Sequence, residues 1–258
     1  MGSALISGMI SSGIANGGKI TISSGSSDSA KQAATLLGTK SADSNAEAVR
    51  DADAVFLCVK PAKAIGVVSE IAGDLGGKLL ISTVAGIRAA DLLAASGNSG
   101  MRVIRSMPNT AVRLREGVTA VARDPSATAD DLEQAMRIFA SVGTALEVKE
   151  EDLDTVTAVS GSGPAFALLV LEAMIDEAVE SGLNRYSATI LASGALAGAA
   201  ALVSETGEKP AALRQEITSP NGTTAAGLAV LETSETYLAF RSAVRAAKNR
   251  STELSKNQ

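Results

Sequence analysis

The sequence predicts an α/β domain with a parallel sheet, followed by an all-helical domain. Over residues 1–150, short apolar strand-like runs alternate with helix-like segments, the pattern of a parallel sheet whose crossover helices cover both faces. Over residues 151–258, strand-like runs give way to long helical patterns. We therefore place the domain boundary near residue 150.

The first domain opens with an apolar, helix-like stretch, MGSALISGMI, where a nucleotide-binding α/β domain normally has a strand and a glycine turn. Asp28 is a suitable N-cap for the next helix, SAKQAATLL. Further helix-like segments cover residues 46–50, 62–71, 89–95 and 130–139. The strand-like runs are KITIS at 19–23, DAVFLCVK at 53–60, KLLISTVAG at 78–86, MRVIRSM at 101–107, GVTAVAR at 117–123 and TALEVK at 144–149.

The second domain carries helix start and stop signals. Pro164 begins a helix that Gly182 ends, and Pro210 begins a shorter one. Residues 188–203 are almost all apolar, rich in Ala and Gly, so this helix needs burial on every side. A last helix is predicted over residues 236–254.

Composition excludes several classes of function. The net charge is −5 and no histidine is present, which argues against a nucleic-acid partner, a metal site and a Ser-His-Asp triad. The single cysteine, Cys58, lies in an apolar strand and is interpreted as a small buried hydrophobe. The apolar run at 165–175 is too short to cross a bilayer. We expect a cytoplasmic protein without a membrane partner.

Loops of small, polar and turn-forming residues follow four of the predicted strands. Ligands bind beyond the carboxyl ends of such strands, although each loop alone is equally typical of a structural turn. In the helical domain, SGSGPA at 160–165 and TSPNGTT at 218–224 place hydroxyls and glycines before helices, where free amides suit an anion. Capping turns explain these two stretches nearly as well. The strand-end loops are Ser23–Ser27, Lys60-Pro61, Val84-Ala85-Gly86 and Met107-Pro108-Asn109-Thr110.

These residues together resemble a known family. TAVSGSGPAFALLVLEAMIDEAVESGL and EITSPNGTTAAGLAVLE, with VFLCVKP, STVAGI, RVIRSMPNT and EGVTAV, are similar to pyrroline-5-carboxylate reductase over essentially the whole chain. The resemblance implies a Rossmann-type domain over residues 1–150 and a helical substrate and dimerisation domain over 151–258. It implies reduction of pyrroline-5-carboxylate to proline with NADPH or NADH, and a homodimer or an assembly of dimers. Ser23 and Ser24 stand where NAD-selective folds place an acidic residue, which favours NADPH over NADH.

The resemblance also assigns residues to roles. Thr224 is the candidate catalytic residue, orienting the imine nitrogen, and Asn109 is expected to face the nicotinamide. No metal ligand is implied. The substrate residues are Ser219, Gly222, Thr223 and Thr224, and the cofactor residues are Gly2, Ser24, Val59, Lys60, Pro61, Ala85, Gly86 and Asn109.

Two departures from the family pattern affect these expectations. Met1-Gly2-Ser3-Ala4 matches only the tail of the family's G-x-G-x-M-G-x-A loop, so a first strand and two loop glycines are expected to be absent. Their absence leaves a gap or an unpaired edge in the sheet and weakens cofactor binding. Asn221 replaces a glycine, and asparagine tolerates the left-handed backbone that such a turn needs.

Three alternatives remain at this stage. Another NADP-linked reductase, such as a hydroxyacid dehydrogenase, needs a catalytic lysine in the helical half, where only Lys209 lies between Lys149 and Lys248. A non-catalytic dimeric paralogue fits the shortened phosphate loop. A protein that binds a proline-like ligand without turnover is the third.

Overall fold

The structure, a computed structural model, describes residues 1–97 and 100–256. It divides the chain into two units, Met1–Gly161 with Ala247–Gln258, and Ser162–Ala246. The first unit thus extends past residue 150, and the domain boundary near residue 150 stays a prediction. The physical reason for the extension is that Leu153 packs with Met107 and Ala122 in the core of the first unit.

The first unit contains two sheets among the described residues. The two-stranded sheet pairs β1 (Thr21–Ile22) with β2 (Lys40–Ser41). The five-stranded sheet has the order β3-β4-β5-β6-β7. Its strands are β3 (Ala54–Leu57), β4 (Leu79–Ser82), β5 (Arg102–Pro108), β6 (Gly117–Arg123) and β7 (Gly143–Glu147).

Helices connect these strands and make up the second unit. The predicted α/β domain and all-helical domain are both confirmed. The helices are α1 (Gly2–Ser11), α2 (Ser27–Leu37), α3 (Asn45–Arg50), α4 (Pro61–Glu70), α5 (Ala89–Ala95), α6 (Ala129–Ala140), α7 (Leu153–Val156), α8 (Gly163–Glu180), α9 (Arg185–Thr206), α10 (Pro210–Glu216), α11 (Thr223–Thr233) and α12 (Thr236–Lys256).

Strand direction departs from the sequence prediction at one place. β3, β4 and β5 are parallel, as predicted, but β6 runs antiparallel to β5. Only a short 3₁₀ turn, Thr110–Leu114, connects these two strands. A parallel return needs a crossover of a dozen residues or more, so the short connection forces the antiparallel arrangement. β7 then pairs parallel to β6 across the α6 crossover.

The two sheets are separate. β1 pairs with β2, and β3 pairs with β4, while no pairing joins β1 to β3 within the described residues. The predicted run KITIS keeps only Thr21–Ile22 as strand, consistent with its single, short partner.

Helices cover both faces of the five-stranded sheet. On one face, Leu5 of α1 and Phe139 of α6 pack on Ile81 and Ile104. On the other, Val68 of α4 and Leu92 of α5 pack in a second cluster with Leu80 and Val103. Burial of large aliphatic side chains, worth about 1.5–3 kcal/mol each, fixes the sheet between these two layers.

The helix caps differ from the prediction at α2. Ser26, not Asp28, is the N-cap, and its hydroxyl accepts a hydrogen bond from the Ser29 amide at 3.3 Å. Asp28 lies in the first turn, where a carboxylate interacts favourably with the helix dipole. The prediction of Asp28 as cap is therefore wrong by two positions.

The second unit exposes large apolar side chains on its long helices. Leu168 and Leu169 of α8 are 62% and 64% exposed, and Leu191 of α9 is 61% exposed. By length and composition, two helical segments could cross a membrane: Glu150–Glu180 and Arg185–Thr206. Both are longer than the apolar run at 165–175, from which the sequence predicted that no segment crosses a bilayer. Core helices of soluble proteins pass the same test. A second copy of the chain would also cover these faces.

We expect the Leu191→Glu variant to lose self-association, because the substitution places a charge on an apolar helix face. The unmodified protein should sediment as a dimer or larger at low micromolar concentration. Leu36→Glu is the matched control, since Leu36 of α2 is 84% exposed in the first unit. Analytical ultracentrifugation of the three proteins decides the matter, and a folded, monomeric unmodified protein would contradict the expectation.

Candidate active site

Three predicted cofactor loops lie at one edge of the five-stranded sheet. Val59 and Lys60 follow β3, Ala85 and Gly86 follow β4, and Asn109 follows β5. Because these three strands are parallel neighbours, their carboxyl ends meet at the same edge. Parallel α/β sheets bind ligands at this edge.

The start of α1 lies at the same edge. A Cβ built on Gly2 would lie 3.4 Å from Cβ of Cys58, directly after β3. No side chain caps the first turn of α1, so its leading backbone amides are available to an anion. Burial raises the pKa of the Cys58 thiol, which keeps it protonated and consistent with the predicted structural role.

The two remaining predicted cofactor residues are Ser24 and Pro61. Ser24 is exposed and follows β1 of the two-stranded sheet. Pro61 is the first residue of α4, whose N-cap Lys60 makes no side-chain capping hydrogen bond. Proline lacks an N–H, so only the later amides of that turn can donate.

These residues fit a nicotinamide dinucleotide in part. Gly86 has φ of +75°, a left-handed backbone that admits close approach at the loop after β4. The uncapped starts of α1 and α4 offer backbone amides to a phosphate-bearing ligand. The described residues contain no cluster of three or more His, Cys, Asp or Glu side chains that could hold a metal ion.

The Asn109 side chain holds its own loop together. Its Oδ1 accepts hydrogen bonds from the amides of Ala111 at 3.1 Å and Val118 at 3.3 Å. Its Nδ2 donates to Oγ of Ser160 at 3.4 Å, in the π-helical turn Thr157–Gly161. The amide group is thus engaged within the protein, and its expected position facing the nicotinamide stays a prediction.

In the second unit, residues 219–222 form a tight turn before α11. The amide of Gly222 donates to the carbonyl of Ser219 at 3.1 Å. Asn221 has φ of +59°, which confirms that asparagine serves in the left-handed position. A Cβ on Gly222 would clash with Oγ of Ser219 and lie 3.2 Å from its carbonyl oxygen. A side chain at 222 would therefore displace Ser219, whereas the turn accommodates asparagine at 221.

The hydroxyls at this turn are available to a ligand. Ser219, Thr223 and Thr224 make no side-chain hydrogen bond among the described residues. Gly222 is the N-cap of α11 and no side chain caps it. Amides and hydroxyls converging at the start of an 11-residue helix suit a carboxylate. The structure thus brings the four predicted substrate residues together.

Sequence reasoning missed an ion pair in the first unit whose arginine is buried. Arg105 of β5 donates from Nη1 to Oε1 of Glu150 at 3.1 Å; the Arg105 side chain is 9% exposed and that of Glu150 is 37% exposed. The same Oε1 accepts from the amide of Ala89 at 2.8 Å. Burial lowers the pKa of Arg105, and the nearby Glu150 and Asp154 carboxylates oppose that shift. A charged residue inside the strand RVIRSM is the signal that sequence analysis left unused.

Comparisons with known proteins follow the same division of the chain. A family model described as pyrroline-5-carboxylate reductase dimerisation matches residues 150–254. A second, described as NADP oxidoreductase coenzyme F420-dependent, matches residues 1–86.

Similarity to curated relatives extends over the whole chain. A pyrroline-5-carboxylate reductase of Corynebacterium melassecola is 39% identical over 260 residues, covering 100% of this chain and 96% of the relative. The chain belongs to the pyrroline-5-carboxylate reductase family. A reductase of the same name from Methanosarcina acetivorans is 41% identical over 260 residues, covering 99% and 95%.

Solved structures of the family share the fold. A pyrroline carboxylate reductase of Plasmodium falciparum with NADP bound superimposes with a TM-score of 0.88 at 30% identity. It covers 99% of this chain and 94% of that protein. Membership of the family supports a nicotinamide cofactor. The dimerisation domain supports homo-oligomerisation.

We expect Gly222→Ala to raise the KM for the imine substrate, because the added methyl group displaces Ser219 at a cost of about 1–3 kcal/mol. Gly227→Ala is the matched control: it lies in the same helix, and a Cβ there meets no atom within 4 Å. Steady-state kinetics of both variants give the measurement. Equal KM values for the two variants would contradict the role assigned to the turn.

Proposed function

We propose that the protein reduces 1-pyrroline-5-carboxylate to L-proline with NADPH, the last step of proline biosynthesis. The observation that carries the proposal is similarity to pyrroline-5-carboxylate reductases over the full length of the chain. The uncapped turn before α11 supports it, because this turn suits the carboxylate of such a substrate. No observation favours the non-catalytic alternative.

Substrate binding falls to residues of the second unit. The amides at the start of α11 and the hydroxyls of Ser219 and Thr223 would hold the carboxylate. The half-buried Thr224 would direct its hydroxyl to the ring nitrogen. These contacts fix the imine in one orientation, which is the main contribution that binding energy makes to a two-reactant step.

The chemistry requires a hydride at the imine carbon and a proton at the nitrogen. Reduced nicotinamide supplies the hydride when bound. A cyclic imine is protonated in water near neutral pH, so the chain needs no strong acid. Thr224 therefore orients the protonated nitrogen rather than acting as an acid, which agrees with a sequence that has no histidine.

The cofactor contacts belong to the first unit. Ser24 follows β1, where NAD-selective folds place an acidic residue for the ribose hydroxyls. Hydroxyls leave room for a 2′-phosphate, and this supports NADPH as the better cofactor. No arginine lies at the end of β1 to bind that phosphate, so the preference is modest.

The proposed assembly is a homodimer or an assembly of dimers in the cytoplasm. The dimerisation model matches residues 150–254, the region that includes the exposed apolar faces of α8 and α9. A second copy of the chain would bury those apolar faces.

We expect a higher kcat/KM with NADPH than with NADH, because no carboxylate at the end of β1 repels the 2′-phosphate. The difference should be modest. Initial rates with saturating pyrroline-5-carboxylate and varied cofactor give the ratio. Equal or better efficiency with NADH would contradict the expectation.

We expect Thr224→Val to lower kcat/KM for pyrroline-5-carboxylate by about 10- to 100-fold, the value of one oriented hydrogen bond to a charged group. Cofactor affinity should stay unchanged. Thr233→Val is the control, since Thr233 lies in the same helix and its hydroxyl donates to the carbonyls of Ala229 and Val230. A Thr224→Val enzyme as active as the control would remove Thr224 from the proposed site.

A further inference from the structure

The last turn of α12 lies against the loop that follows β4. A Cβ built on Gly86 would lie 3.5 Å from Cβ of Leu254 and 3.6 Å from the amide nitrogen of Ser255. Gly86 is buried in this arrangement. The helix end therefore forms a wall that sets how far the loop can move on that side.

Asp154 of α7 anchors this wall. Its Oδ1 accepts a hydrogen bond from Oγ of Ser251 at 2.6 Å, and its Oδ2 accepts one from Oγ1 of Thr252 at 2.8 Å. Both carboxylate oxygens are used, and Ser251 is only 5% exposed. Two charge-assisted hydrogen bonds to consecutive residues fix both the position and the rotation of the helix end.

Glu150, four residues before Asp154, fixes the C-terminal end of the loop that follows β4. Glu150 accepts from the amide of Ala89, the first residue of α5, while bound to the buried Arg105. Within the loop, Val84 and Ile87 are buried in the core. Residues 84–88 are thus held by core packing, by Glu150 at one end and by the Asp154-anchored helix on one side.

We propose that Asp154 is a positioning residue for the cofactor, acting through α12 on the loop that contains Ala85 and Gly86. The inference rests on the proposed function, which assigns these two residues to the cofactor site. Asp154 touches neither reactant. Its carboxylate keeps Leu254 and Ser255 against the loop, so the backbone of the loop is held in place before the cofactor binds.

The test compares NADPH affinity in oligomeric, full-length variants. We expect Asp154→Asn to raise the dissociation constant for NADPH by about tenfold, because the amide group can no longer accept both hydroxyl hydrogen bonds. Affinity is read from the change in NADPH fluorescence on binding, which requires no turnover. At saturating NADPH, kcat and the KM for pyrroline-5-carboxylate should stay unchanged.

Two more variants make the test independent of a single substitution. The double variant Ser251→Ala, Thr252→Val removes both donors and leaves Asp154 in place, so it should show the same loss of affinity. Asp154→Glu should recover part of it. Glu253→Gln is the control, since Glu253 lies in the same turn and, among the described residues, pairs only with the exposed Arg250.

The outcomes separate this inference from the proposed function. If the unmodified protein reduces pyrroline-5-carboxylate but the Asp154 and Ser251/Thr252 variants bind NADPH as it does, the inference fails and the function stands. Lower thermal stability with unchanged affinity, or tighter binding, also overturns it. If the unmodified protein binds NADPH without reducing the imine, and the variants bind more weakly, the inference stands and the function fails. No binding of NADPH by the unmodified protein overturns both.

Discussion

The parallel pairing of β3, β4 and β5 is the constraint on which the first unit depends. It brings the residues after each strand to one edge of the sheet and places the start of α1 beside Cys58 at that edge. In the proposed cofactor site, backbone amides would do what charged side chains do in other sites. The geometry of such a site depends on backbone position, so a movement of the loops would move the site.

The buried Arg105 and the carboxylates of Glu150 and Asp154 hold the surroundings of the loop that follows β4. A buried arginine and its carboxylate partners are costly to desolvate, and an apolar cluster of the same volume would often stabilise the fold as well. Arg105, Glu150 and Asp154 offer something that apolar packing does not, namely directional bonds to a particular amide and to two particular hydroxyls. A site built from backbone groups requires such directional hydrogen bonds, because its geometry depends on where the backbone lies.

The sequence predicted local structure well and long-range structure poorly. α5 was predicted with its observed bounds, and the proline that begins α10 was identified, because these signals lie within a few residues of the helix they define. The direction of β6 was missed, since an apolar strand looks the same in either orientation. The hydrogen bond between Asp154 and Ser251 joins residues 97 positions apart, a distance over which no local pattern carries information. The substrate turn was found through its motif, whereas the close approach of Ser219 to Gly222 follows only from the structure.

The absence of histidine from the sequence agrees with the kinds of groups present at the proposed substrate and cofactor sites. A reaction whose substrate gains its proton from water requires orientation more than acid catalysis. The second unit presents neutral hydroxyls and helix amides at α11, groups whose hydrogen bonding does not change with pH near neutrality. The first unit presents backbone groups at the sheet edge. Since the hydroxyls and amides at α11 do not titrate near neutral pH, substrate binding there should depend on pH only through protonation of the imine.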